Sequence, residues 1–242
     1  MHTLLSTTFE VLNRIIQPNY CIFCLSKIAA GKKKPICSKC FKELKINQPP
    51  FCRQCGKSIK NAVNHICRIS LSDKEDFRIF YPLKYEKITR EALHKLKYEG
   101  QLNLVRFFSF RMAALVKEHI LPFNNIDFIT YVPLHKKKLK EREFNQSELL
   151  AKGVSSRTKI PLIENLISRT IYTRPQSKLS EKERKTNLRG AFKINGRYKD
   201  VITGSHLLLI DDIITTGSTV KECLKEIKKH AAKVIVLAAA GG

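Results

Sequence analysis

Two adjacent carboxylates, Asp211 and Asp212, are followed by Ile213 and Ile214 and then by Thr215-Thr216-Gly217-Ser218-Thr219. A carboxylate pair can accept hydrogen bonds from two vicinal hydroxyls. Backbone N–H groups of residues 215–219, at a helix N-terminus, can hold a phosphate. The combination suits a ribose 5-phosphate. Leu207 to Ile210 carry no charge and read as a buried parallel strand that ends at the carboxylates. Val220 to His230 read as a helix with Val220, Leu224 and Ile227 on one stripe. A purely architectural account makes Thr219 and Glu222 a capping box and Gly217 a tight turn. It leaves the Asp pair and Thr215-Thr216 unexplained. No Lys follows the glycine, so this is not a Walker loop, and it is not a G-x-G-x-x-G fingerprint.

The second chemistry is that of sulfur. Seven of the eight cysteines fall between Cys21 and Cys67. Cys21-x-x-Cys24 and Cys37-x-x-Cys40 are two matched pairs, and each such turn presents two sulfurs to one tetrahedral ion, so the four together predict zinc. A redox dithiol would not need two matched pairs. The segment is too short to bury much core, so metal would supply folding energy. Cys52-x-x-Cys55 followed by His65-x-Cys67 predicts a second zinc site, with Ser70 standing where a fourth Cys would complete a pair with Cys67; His65 also fits a polar loop residue. Cys223 is expected to be a core residue. The N-terminal apolar stretch is interrupted by Glu10 and Arg14, unlike a signal peptide, which places the chain in the cytoplasm and favours metal over disulfides.

These groups need elements to position them. Leu5, Phe9, Leu12 and Ile16 predict an amphipathic docking helix over residues 3–17, ended by Pro18. Residues 1–72 then form an N-terminal helix and zinc-ribbon region, and 73–242 a larger domain. Beyond a polar connector at Ser70 to Asp76, strands are expected at 77–81, 126–132, 166–171, 191–194 and 233–239, and helices at 88–98, 102–120 and 144–153. Such alternation predicts an α/β fold, a mainly parallel sheet flanked by helices. No apolar run is long enough to cross a bilayer. The formal net charge is +24, which invites a polyanion, nucleic acid being the commonest.

The carboxylate stretch resembles the 5-phosphoribosyl-1-pyrophosphate (PRPP) loop of type I phosphoribosyltransferases. Further segments are Val132-Pro133-Leu134-His135 with Leu139 to Gln146, Lys95 to Gly100, Arg174-Pro175-Gln176, and Leu179, Arg184, Asn187 and Gly190-Ala191-Phe192. With the zinc pairs, in this order, the chain resembles the ComF family of competence proteins over nearly its whole length. That resemblance implies a zinc-ribbon region joined to a phosphoribosyltransferase-like domain. It implies that the loop after Val132-Pro133 meets pyrophosphate, with His135, Lys136, Lys137 and Arg142 as the cationic candidates. As single side chains these also fit a solvated basic loop. The family has Arg-Gly-Phe-Asn where this chain has Arg142-Glu143-Phe144-Asn145, and Glu143 is expected to open a helix. Arg142, Asn145 and Gln146 stay functional candidates. The polar segment from Arg169 to Arg189 is a candidate lid or nucleic-acid clamp.

Three functions follow. The first is transfer of ribose 5-phosphate from PRPP to a base-like acceptor with release of pyrophosphate, magnesium accompanying PRPP. The second is the handling of incoming single-stranded DNA during natural transformation, with other competence or DNA-processing proteins as partners. The third is a sensor that binds the phosphorylated ribose without turnover. The resemblance favours the second, on a domain that keeps the first's PRPP site.

Overall fold

The computed structural model describes residues 20–28, 35–52, 54–60, 65, 67, 77–172 and 190–242. The helix expected over 3–17, the connector at 70–76 and the segment 173–189 lie outside the described residues. The chain divides into two compact units, Met1–Leu44 and Lys45–Gly242.

In the first unit the chain turns tightly between Tyr20 and Lys27, which form an antiparallel bridge. The Cys21 N–H donates to the Ser26 carbonyl at 2.8 Å, and the Leu25 N–H to Cys21 at 2.8 Å. The second pair opens helix α1 (Ser38–Glu43), capped by the Cys37 side chain accepting from the Cys40 N–H.

The second unit carries the sheet. Its strands are β1 (Phe77–Phe80), β2 (Leu83–Lys84), β3 (Phe128–Tyr131), β6 (His206–Ile214) and β7 (Lys233–Gly241), in the order β1-β7-β6-β3 with β2 also on β7, all parallel. β4 (Ile167–Arg169) and β5 (Phe192–Ile194) form a separate antiparallel pair. The helices are α2 (Lys87–Tyr98), α3 (Asn103–Leu115), α4 (Lys136–Arg142), α5 (Gln146–Thr158), α6 (Lys199–Ile202) and α7 (Ser218–Ile227). Leu207 to Ile210 and Val234 to Ala240 are wholly buried, as parallel strands covered on both faces require. Leu207 and Leu209 share a core with Val220, Leu224 and Ile227 of α7. The alternate residues Leu208 and Ile210 point to the other face, against which α5 packs.

Several expectations change. β6 does not stop at Ile210 but pairs with β7 through Ile214, whereas its partner β3 ends at Tyr131. The carboxylates therefore lie inside a strand, past the end of its neighbour. The capping box does not form: α7 begins at Ser218 behind Gly217 at φ 71°, and Glu222 pairs with Lys225 and accepts from the Gly190 N–H. The expected helix at 102–120 changes to a π turn at Val116–Ile120. Residues 136–142 are a helix rather than a loop. Glu143 does not open a helix but closes α4 in the left-handed region, at φ 65°. That conformation costs a residue with a Cβ about 1–2 kcal/mol.

Among the described residues no helix is long and apolar enough to cross a membrane.

Candidate phosphoribosyl pocket and metal sites

The pocket opens at the carboxyl ends of β3 and β6, the edge at which open α/β sheets present their ligands. Asp211 and Asp212 are 7% and 8% exposed, and successive strand side chains leave to opposite faces. Asp211 accepts from Ser147 Oγ of α5 at 3.0 Å and from the Asp212 N–H at 2.9 Å. Asp212 pairs with Lys97 Nζ, from the last turn of α2, at 2.7 Å. Burial and the neighbouring Asp212 charge push the Asp211 carboxyl up to about 7, against the opposing pull of its hydrogen bonds and Lys97. Burial disfavours the Lys97 charge, but Asp212 outweighs it and holds the ammonium above its ordinary value. The site is thus a carboxyl pair in which Asp211 holds a proton near neutrality and Asp212 lies against the Lys97 ammonium.

Around the pair lies a cavity of about 430 Å³ lined by Lys97, Arg142, Gln146, Ser147, Arg169, Thr215 and Thr219, among others. Asn145 positions this wall: its amide donates to the Val132 carbonyl at 3.0 Å, and its Oδ1 caps α5 through the Ser147 N–H at 3.0 Å. Arg142 reaches Gln146 Oε1 at 3.4 Å and the Tyr98 hydroxyl at 3.1 Å. Gln146 is 2% exposed, yet its Nε2 donor has no hydrogen-bond partner among the described residues. A buried unmade donor costs about 1–3 kcal/mol, so the wall suits a ligand with an acceptor there. The turn before α7 sets Gly217 at φ 71°, which a residue without Cβ adopts freely. Thr216 Oγ1 and Ser218 Oγ lie 2.9 Å apart within it.

Of the four cationic candidates, Arg142 alone lines this cavity. His135 caps α4 by accepting from the Lys137 N–H at 3.2 Å, and its ring packs 5.2 Å from Tyr172. Lys137 Nζ lies 5.2 Å over the same Tyr172 ring, and Lys136 is exposed. Thr215 and Thr219 line the cavity, whereas Thr216, Gly217 and Ser218 form the turn behind them. Sequence reasoning missed Lys97 and Ser147, and held Arg169 only as the first residue of the candidate lid or clamp. Lys97 lies in the Lys95 to Gly100 segment, the signal that could have found it.

The cysteines gather as two sets, Cys21, Cys24, Cys37 and Cys40, and Cys52, Cys55, His65 and Cys67, with the ligand atoms of each set within 4.8 Å of one another. Two sulfurs at about 2.3 Å from a tetrahedral ion lie about 3.8 Å apart, and Cys24 and Cys37 Sγ are 3.8 Å apart. Hydrogen bonds from Ser26 lower the Cys24 thiol to about 6, so a thiolate is available there. In the second set His65 Nε2 lies 3.2 Å from Cys55 Sγ, and this imidazole completes a four-donor set without Ser70. Both donor sets fit zinc. The second set belongs to the unit that carries the sheet. Cys55 is part of its core with Tyr81 and Leu209, and Cys52 and Cys67 pack against it. Asn47 ties this segment down, donating to the Gly56 carbonyl at 2.7 Å and the Tyr81 carbonyl at 3.0 Å. A Cβ on Gly56 would come within 2.4 Å of the Ile79 carbonyl oxygen, so only glycine permits this approach to β1.

Residues 12–69 match the model of a double zinc ribbon domain, and residues 146–240 that of a phosphoribosyl transferase domain. The chain is 27% identical over 213 residues to competence protein F of Haemophilus influenzae, covering 86% of this chain and 90% of that protein. It is 27% identical over 221 residues to DNA utilization protein YhgH of Escherichia coli, covering 90% and 94%. It is 25% identical over 206 residues to competence protein ComFC of Bacillus subtilis, covering 81% and 80%.

Proposed function

The chain is a homologue of competence protein F and ComFC, and from that premise we propose that it handles incoming single-stranded DNA during natural transformation, in the cytoplasm, around a pocket for PRPP or a related phosphorylated ribose. The observation that carries the pocket is the pairing of Asp211 and Asp212 with Ser147 and Lys97 at the carboxyl end of β6. The carboxylates accept from the ribose hydroxyls, the turn at 215–219 holds the 5-phosphate, and Arg142 and Gln146 face the pyrophosphate side. Zinc on the two four-donor sets holds the ribbon together. Magnesium, when bound with PRPP, neutralises pyrophosphate charge, and Asp211 and Asp212 are the pocket's carboxylate oxygens available to it.

The DNA part of this reading draws support from the charge of +24 and from the names of the relatives. Its test is salt dependence. If the grip is phosphate neutralisation, log affinity for a single strand falls linearly with log salt, by about 0.7 per contact. Replacing Lys136, Lys137 and Lys138 by Gln flattens that slope and weakens all sequences alike. Cells carrying the triple change transform poorly. Wild-type transformation with an unchanged slope removes α4 from the DNA path.

A second reading, turnover, is favoured by one observation: both carboxylates line the same cavity. There they would orient the sugar and favour the positive charge that develops as pyrophosphate leaves. Pyrophosphate released only in the presence of a base-like acceptor supports it. PRPP binding without release makes the pocket a sensor.

A further inference from the structure

A larger chamber, about 640 Å³, adjoins the Asp211–Asp212 cavity and lies within the usual range of small-molecule sites, about 300–1,000 Å³. Its own lining includes Arg90, His94, Tyr98, Lys138 and Tyr172, and it shares Lys97, Arg142, Arg169 and Thr219, among others, with the first cavity as a common wall. Two features set it apart. It is aromatic, with Tyr98 62% and Tyr172 43% exposed. Each ring is flanked by a cation and an imidazole. Arg142 lies 4.8 Å over Tyr98 with His94 at 4.6 Å, and Lys137 lies 5.2 Å over Tyr172 with His135 at 5.2 Å.

Its described lining is also mainly cationic. Glu141 is the one acid in its lining. Among the described residues no carboxylate lies within ion-pair distance of Arg90, Lys138 or Arg142. Burial and the crowding of Arg169 and Arg142 push the Lys138 ammonium below its ordinary value, so an anion placed among these groups would relieve their repulsion. A neutral base would fill the aromatic part and leave the cations uncompensated. A sugar phosphate alone would do the reverse.

We infer that this chamber is a nucleotide site, taking an aromatic base against Tyr98 or Tyr172 and its phosphate on Arg90, Lys138 and the Arg142–Arg169 wall. Base stacking on such rings is tolerant of sequence. Two sources share this chemistry, a free mononucleotide and the phosphorylated end of a single DNA strand. The inference rests on the proposed function in that the neighbouring cavity is assigned to the phosphoribosyl ligand, leaving the chamber for the nucleotide.

The test is a calorimetric titration of 5′-dAMP into the full-length protein already saturated with PRPP. Binding of dAMP on top of PRPP, weakened about tenfold or more by Arg90→Gln and by Tyr98→Ala, is the expected result. Arg90→Gln leaves PRPP affinity within twofold. Displacement of one ligand by the other, or no dAMP binding, overturns the inference. Should PRPP not bind at all, the proposed pocket fails separately, and dAMP titrated alone decides. Loss in Arg90→Gln with retention in Asp211→Asn sustains the chamber, and the opposite pattern overturns it. With dAMP bound as expected, a linear 5′-phosphorylated oligonucleotide outcompeting the same sequence closed into a circle identifies the strand end as the source. Equal competition identifies the free mononucleotide.

Discussion

The two halves of strand β6 are neighbours with opposite physics. Leu207 to Ile210 are apolar, wholly buried and paired on both sides, to β3 and β7. Asp211 to Ile214 keep only β7 beside them, and bury two carboxylates within a wall of cations. The first half stabilises the fold by hydrophobic burial. The second half carries groups that are costly to bury unless paired, which a chain concerned with stability alone would not place there. The difference separates the part of the strand that holds the domain together from the part we propose to meet a ligand, and substitutions on either side should move stability in opposite directions.

The largest effect is expected in the apolar half. Leu209→Ala removes a wholly buried side chain from the core it shares with α7 and should cost about 3–5 kcal/mol in chemical denaturation. A loss below 1 kcal/mol would erase the contrast between the halves. Next comes the second cysteine group, which packs on that same core. Cys55→Ser should lower the stability of the sheet unit by about 2–3 kcal/mol with loss of one zinc per chain. Cys40→Ser, in the separate first unit, should lose one zinc and leave the sheet unit's melting temperature unchanged. Equal destabilisation by the two would contradict the assignment of only the second group to the sheet.

In the charged half the sign reverses. The folded-state value of Asp211, about 7, lies above the 3.8 of a free aspartate side chain. The folded chain therefore holds an extra proton between those values, and its stabilising contribution is present below pH 4 and lost as pH rises through 7. Asp211→Asn should remove that loss. It should gain about 1–3 kcal/mol over the wild type at pH 8, about a third of that at pH 5, and nothing below pH 4. A gain independent of pH would mean that the carboxyl does not titrate there. The smallest effect belongs to Glu143, which ends α4 at φ 65°. Glu143→Gly should stabilise by about 1 kcal/mol, and a loss instead would show that the Glu side chain holds the pocket wall.

The same contrast explains what the sequence made legible. The apolar run of β6, the paired cysteines and the Thr-Gly turn are local patterns, and each appears in the fold where its spacing implies. The partners of the carboxylates are not local. Ser147 meets Asp211 across 64 residues, and Lys97 comes from a different helix, so no spacing rule joins them. Helix α4 was hidden because Lys136 to Arg142 contains a single apolar residue, Leu139, and offers no periodic stripe to read. The left-handed Glu143 was misjudged because helix openings favour Glu, whereas the chain here needed a stop. The extent of β6 depended on its partner β7, whose run to Gly241 carries the pairing past the carboxylates.

The most direct test of the central claim is calorimetry of PRPP with magnesium against the wild-type chain and the double variant Asp211→Asn, Asp212→Asn, both checked for folding by thermal denaturation. The account predicts one PRPP site per wild-type chain and an affinity at least tenfold weaker in a folded double variant. Unchanged affinity in the variant, or no binding to the parent, would contradict it.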